Sequence, residues 1–307
     1  MDKILIDGLT AEQWLKLRRR GIGGSDAPVI EGISRYKAPV QLWEEKTDQI
    51  PIDTSDTEFT FWGHVMENVI RNEFTVRTGL KVEQVSFLYR SEKHEFMQAN
   101  LDGEVYDSQY GMCVFEAKNV STFREKEWEE HIPPEYYSQL QHYMAVTGYE
   151  GAYIAALIGG NNFIYRFIRR DEKYIRKLIR AEARFWEHVE NRTIPVYDGS
   201  DALKEYLYRK YPQAEDSEMI DLGEDGIYLM AEYDAVSALE TKISERKQAV
   251  ENRLKSLIGE HQGGTCFGRK VTWKNITSQR FDSKTFQMEE PEPQASLCRL
   301  CKHSWIW

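Results

Sequence analysis

The chain has 307 residues, 41% hydrophobic and 29% charged, which suits one large buried core or one domain with an appendage. No apolar run reaches the roughly 18 residues a membrane span needs; residues 1–17 carry an early acid and no small-residue cleavage site, so a signal peptide is excluded and a cytoplasmic protein of a bacterial host is expected. The net charge of −10 argues against nucleic acid as a whole-chain property, but basic residues cluster at Arg18-Arg19-Arg20 and as eight Lys/Arg over residues 166–184.

In chain order, residues 11–20 (AEQWLKLRRR) read as a short helix with Thr10 as N-cap. The Gly-rich turn Gly21-Ile22-Gly23-Gly24 follows, and Ser25 or Asp26 can cap a second helix with Pro28 in its first turn. A third helix covers 38–46, and 47–58 is polar and loop-like. Residues 61–78 are strongly helical, with Val65, Met66, Val69, Ile70 and Phe74 on one stripe and Gly79 as the stop. Strands are expected at 82–89, 96–106 and 112–119, the last two joined by a hairpin loop at 107–111. Pro133-Pro134 opens a helix to about Thr147. A second hairpin pairs 151–158 with 162–169 around Gly159-Gly160-Asn161, and a long helix covers 171–191. Pro195 and Gly199 mark a boundary, which divides the chain at 198/199.

Beyond it, 202–211 looks helical, 213–225 acidic and loose, and 228–258 one long helix. Val236, Leu239, Ile243 and Val250 give that helix an apolar seam, which Arg246 and Arg253 interrupt, an argument against a dedicated long coiled coil. Residues 263–276 read as one or two strands. Four cysteines are too few for a disulfide scaffold. Cys298 and Cys301 form a C-x-x-C near His303, but a closed zinc site needs four ligands, so two reduced thiols are expected.

The chemistry concentrates at Asp102, in Leu101-Asp102-Gly103 at a strand end, and at Glu116-Ala117-Lys118 on the partner strand. Side chains alternate along a strand, so Glu116 and Lys118 share one face and Phe115 and Ala117 the other. A hairpin brings Asp102 near Glu116, and two converging carboxylates suit a hard divalent ion such as Mg²⁺. Such an ion activates water and neutralises phosphodiester charge, and Lys118 can position the nucleophile or stabilise the transition state. The bland reading is a Glu116–Lys118 surface ion pair. At the N-terminus, a Gly-rich turn before a helix offers N–H groups to an anion, with Arg18 as a charged fork for phosphate.

In order, WLKLRRRGIGGSDA, WGHVMENVIRNEF, LDGEVYDSQYGMCVFEAKNV and YYSQLQHYMAVTG resemble the YqaJ-type viral recombinases and lambda-type exonucleases of the PD-(D/E)xK nuclease superfamily, over roughly residues 11–190. The resemblance implies an α/β (α+β) restriction-endonuclease-like core, with a central mixed β-sheet flanked by helices, and an appended, mostly helical C-terminal region over 199–307. It matches the family's catalytic set to Glu67, Asp102, Glu116, Lys118 and Gln139. The metal ligands would be Asp102, Glu116, Glu67 and the backbone carbonyl of Ala117. Arg18 and Ser25 match a 5′-phosphate pocket, Arg19 and Arg20 less closely, and Tyr143, which shares a helix face with Gln139, joins them as a DNA-binding residue.

The implied activity is a Mg²⁺-dependent 5′→3′ exonuclease, with Mn²⁺ able to substitute, that acts on double-stranded DNA ends and leaves 3′ single-stranded tails for recombination. A homotrimer and a RecT/Beta-type annealing partner come with it. The contrasting reading is a non-catalytic DNA-end binding or recombination-mediator protein on a nuclease fold. An iron–sulfur nuclease is disfavoured, since it needs four cysteines gathered around the core and Cys113 lies inside the hairpin.

Overall fold

The computed structural model describes residues 1–55, 57–213 and 219–273. Capping sets the first helices: Thr10 and Gln13 cap α1 (Ala11–Arg19) reciprocally, and Thr57 with Thr60 does the same for the long α4 (Glu58–Thr78), which ends at Gly79 with φ 72°. Between them lie a single-turn α2 (Ala27–Ile30) and α3 (Pro39–Lys46). Asp26 precedes α2 but makes no side-chain cap; its carboxylate turns back to accept the Gly23 N–H, so the expected capped helix after the glycine turn is one short turn held by different bonds.

Strands β2 (Val82–Glu83), β5 (Gly103–Asp107), β6 (Gly111–Val120), β7 (Gly151–Ile158) and β8 (Asn162–Arg169) form one sheet in the order β2-β5-β6-β7-β8. Only β6–β7 is parallel, so the sheet is mixed, as expected. A second, three-stranded sheet joins β1 (Asp2–Leu5), β3 (Phe87–Arg90) and β4 (Gln98–Asn100). Two of the expected strands are therefore each divided between two sheets. The strand read as 96–106 breaks at Leu101-Asp102, where the Asp102 carboxylate takes the Ala117 N–H at 2.8 Å and the Asp102 carbonyl takes Arg71. Side-chain bonds replace the ladder at that point.

The alternation along β6 fixes its two faces. Phe115 and Ala117 pack with Ile70 and Phe74 under α4, and the Phe74 ring lies 5.0 Å from Phe115. Val114 and Val120 pack on the opposite side, in the cluster that holds Leu140 and Met144 of α5 (Pro134–Thr147) and Ile175 of α6 (Glu172–Glu190). The α4 stripe is narrower than its sequence suggests: Ile70 and Phe74 are buried and Met66 packs against them, but Val65 and Val69 are exposed.

The chain divides into two compact units, Met1–Glu215 and Asp216–Trp307. Helix α7 (Asp201–Lys210), on the far side of the sequence boundary at 198/199, lies in the first. Its Leu203 packs with Ala38 and Val40, and its Lys210 pairs with Glu44 at 2.6 Å. The second unit contains α8 (Gly223–Ile258) and the hairpin β9 (Gly263–Cys266) with β10 (Arg269–Thr272). Cys298, Cys301 and His303 lie outside the described residues. No helix among those described is long and apolar enough to cross a membrane.

Candidate active site

Glu116 and Lys118 project from β6 toward α5, where Gln139 meets them. The Oε1 of Glu116 accepts from Lys118 Nζ at 2.6 Å and from Gln139 Nε2 at 2.8 Å. The same Gln139 amide donates to the Tyr143 hydroxyl at 2.9 Å, so the i, i+4 pair acts as one strut. The Oε2 of Glu116 is buried and has no hydrogen-bond partner. A buried oxygen left without a donor is costly, and a cation removes that cost.

Asp102, Glu116 and Glu67 line one cavity of about 190 Å³ with Arg18, Ser25, Gln139 and Tyr143. Burial, with Asp102 next, pushes the Glu67 carboxyl up to about 7 and the Glu116 carboxyl up to about 8. Burial raises Asp102 as well, against the pull of Lys118 and the Ala117 N–H. Burial works the other way on Lys118, but Glu116 and Asp102 outweigh it and hold its pKa above the ordinary lysine value. The charged form of Lys118 is thereby favoured, and its ammonium sits 5.0 Å from the Tyr136 ring centroid. Among the described residues no three His, Cys, Asp or Glu side chains converge tightly enough to hold an ion alone. The donor set fits an ion that keeps water ligands, as Mg²⁺ does, with Asp102 and the free Glu116 oxygen as anchors.

The cavity continues to the glycine turn. Arg18 Nη2 donates to Ser25 Oγ at 3.0 Å, so the two residues matched to a phosphate pocket do meet. The turn is set from beneath by Lys46, which donates to the Arg18 and Gly21 carbonyls and to Asp26 at 2.7 Å. Burial pushes Asp26 up, but Lys46 and Arg18 outweigh it and hold the carboxyl below its usual range. At Gly24 the backbone passes so close to Tyr143 that a Cβ would lie 2.3 Å from the ring. Since α2 is a single turn, any anion here rests on Arg18 and Ser25 and not on a helix dipole.

Arg19 and Arg20 do not line this cavity. The Arg19 guanidinium is bound to Asp48 and to the Ile50 and Pro51 carbonyls, so it anchors the loop after α3, and Arg20 is exposed. Nor do any of the eight basic residues of 166–184 reach the cavity; Arg166 and Arg170 bind backbone carbonyls. Sequence reasoning missed five wall residues, Trp14, His64, Leu88, Gln98 and Asn100. Gln98 is fully buried with its Nε2 unpartnered. His64 was within reach, since it precedes Glu67 by three positions on one helix face; the others depend on contacts no local pattern encodes.

The family model of the YqaJ-like viral recombinase domain matches residues 13–150. Among solved structures, the alkaline exonuclease LHK-Exo from Laribacter hongkongensis superposes with a TM-score of 0.50 at 20% identity, over 66% of this chain and 98% of its own. Its complex with dAMP gives the same TM-score and coverage at 21% identity. Those likenesses establish a shared fold, the mixed sheet flanked by helices that the sequence suggested. The uncharacterized protein YqaJ of Bacillus subtilis (strain 168) is 34% identical over 288 residues, 92% of this chain and 89% of its own length. With similarity along nearly the whole of both chains, this protein belongs to the YqaJ family of viral recombinase-like proteins.

Proposed function

We propose that this protein is a metal-dependent deoxyribonuclease that degrades double-stranded DNA from its 5′ ends and leaves 3′ single-stranded tails for recombination in a bacterial cytoplasm. The observation that carries the reading is the buried, unpartnered Glu116 oxygen in the cavity that also presents Arg18 and Ser25, with the other Glu116 oxygen bound by the Lys118 ammonium. Asp102 and Glu116 would hold Mg²⁺ or Mn²⁺, with the Ala117 carbonyl and Glu67 as further ligands. When bound, the ion supplies an activated water and neutralises charge on the scissile phosphate. Lys118 stabilises charge that builds on the phosphoryl oxygens. Gln139 fixes Glu116 and is itself fixed by Tyr143. Arg18 and Ser25 grip the terminal 5′-phosphate.

The family resemblance adds a homotrimer and a RecT/Beta-type annealing protein as partner. The test uses duplexes labelled at either end, with and without a 5′-phosphate, in Mg²⁺ or EDTA. Mg²⁺-dependent loss of 5′-labelled nucleotides from phosphorylated ends is expected. Duplexes that are bound yet persist in Mg²⁺ would instead make the protein a DNA-end binding factor on a nuclease fold.

A further inference from the structure

Helix α8 runs for 36 residues and buries only Gly226 and Ile258 among its side chains. Leu229, Val236, Ile243, Val250 and Leu257 recur at intervals of seven, and all five are between 47% and 78% exposed. Five large aliphatics at every second turn of a solvated helix form an apolar seam without a partner in this chain. At 1.5 Å per residue the stripe is about 42 Å long.

We propose that this stripe pairs with the same stripe of a second copy of the chain, as an antiparallel two-stranded coiled coil. The heptad charges choose the direction. With the five aliphatics at a, the d positions are Glu232, Leu239, Arg246 and Arg253. A parallel pair would set Arg246 against Arg246 and Arg253 against Arg253, with Lys242 facing Lys247 across the flank. An antiparallel pair instead sets each d residue against an a residue of the second copy. Leu239 then meets Val250, Ile243 meets Arg246 and Val236 meets Arg253, each twice by symmetry. The arginine stems cover the aliphatics while their guanidinium heads reach water.

In the same register Glu240 of one copy lies beside Lys247 of the other, again twice. The core pairs share a two-fold axis that passes between Ser244 and Glu245, and Glu240 and Lys247 flank it on either side, so the helix is complementary to itself about that axis. That self-complementarity selects a second copy over an unrelated partner. The two arginines that interrupt the seam thus forbid one orientation and permit the other.

The test compares full-length variants by sedimentation equilibrium and multi-angle light scattering at tens of micromolar. Ile243→Glu is expected to halve the mass of the assembly. Glu240→Lys and Lys247→Glu should each weaken association by roughly tenfold, because like charges then face each other at two places. The double charge swap should restore it. An assembly mass unchanged by Ile243→Glu, a wild-type chain that stays monomeric, or a double swap weaker than either single variant would each overturn the proposal. Circular dichroism shows whether α8 stays helical. If it does in Ile243→Glu and the mass still halves, helix loss is excluded and the seam is the contact.

Discussion

The two oxygens of Glu116 do different work. One is held by Lys118 and Gln139, and the other is buried with no donor. Because Lys118 stays charged, its contribution is electrostatic, so Lys118→Ala should reduce cleavage by about 10²-fold or more while duplex binding persists. Single-turnover rates with a parallel binding titration check this, and normal turnover would remove Lys118 from the chemistry. The carboxyls carry a pH prediction. Glu116 is raised from 4.5 to about 8 and Glu67 to about 7, so the metal-free fold favours their neutral forms. Stability without metal therefore falls as pH climbs from the ordinary carboxylate range through those values, and cation affinity climbs over the same window, because the ligands must ionise. The rise in melting temperature caused by Mn²⁺ should grow between about pH 6 and pH 9, and Glu116→Gln should flatten that growth. A Mn²⁺ shift with no pH dependence would place the ion elsewhere. At the other end of the cavity, Arg18→Ala should lower the preference for 5′-phosphorylated over 5′-hydroxyl duplexes, by about 1.5–3 kcal/mol of binding, and spare cutting at excess enzyme. An unchanged preference ratio would leave Arg18 as a partner of Ser25 alone.

At the level of elements, the glycine turn and α5 form one joint, since the Gly24 backbone rests on the Tyr143 ring. Gly24→Ala drives a methyl group into that ring and should destabilise the fold by about 1–3 kcal/mol. Thermal unfolding measures it, and adding Tyr143→Leu should recover part of the loss; an unshifted melting curve would mean that the turn relaxes freely. The turn itself was legible in the sequence, because glycines are local signals, although the helix cap expected at Ser25 or Asp26 does not form. So were α4, α5 and the two hairpins, whose periodicity and stop glycines act within a few residues. The division of two strands between two sheets was not legible. It depends on Arg71 and Ala117 reaching Asp102 from separate elements. Nor was β1, a short strand whose partner lies more than eighty residues away. Val65 and Val69 fit the helical period as well as Ile70 does, yet only Ile70 is buried with Phe74 against the sheet.

Across the molecule, the four apolar clusters found among the described residues are drawn from within Met1–Glu215. A chain ending at residue 213 should therefore unfold cooperatively, within a few degrees of the full chain; a broad or much lower transition would show that the first unit needs the second for its stability. The site residues that sequence did identify are the ones with charged or amide side chains in short spacings, such as Glu116, Lys118 and Gln139. Their common destination needed the full topology. Asp102 stands where the chain leaves one sheet for the other, Glu116 is held by a helix that comes after its strand, and β6 pairs in parallel with β7, which comes only after that helix. The order of synthesis then matters. A nascent chain can form the 103–115 hairpin early, but Glu116 has neither its α5 support nor its parallel neighbour until residues through 158 have left the ribosome. The centre is assembled by contacts distant in sequence, and such contacts form late. A truncated translation product that stops short of α5 would carry Asp102, Glu116 and Lys118 without the amide that holds Glu116 in place.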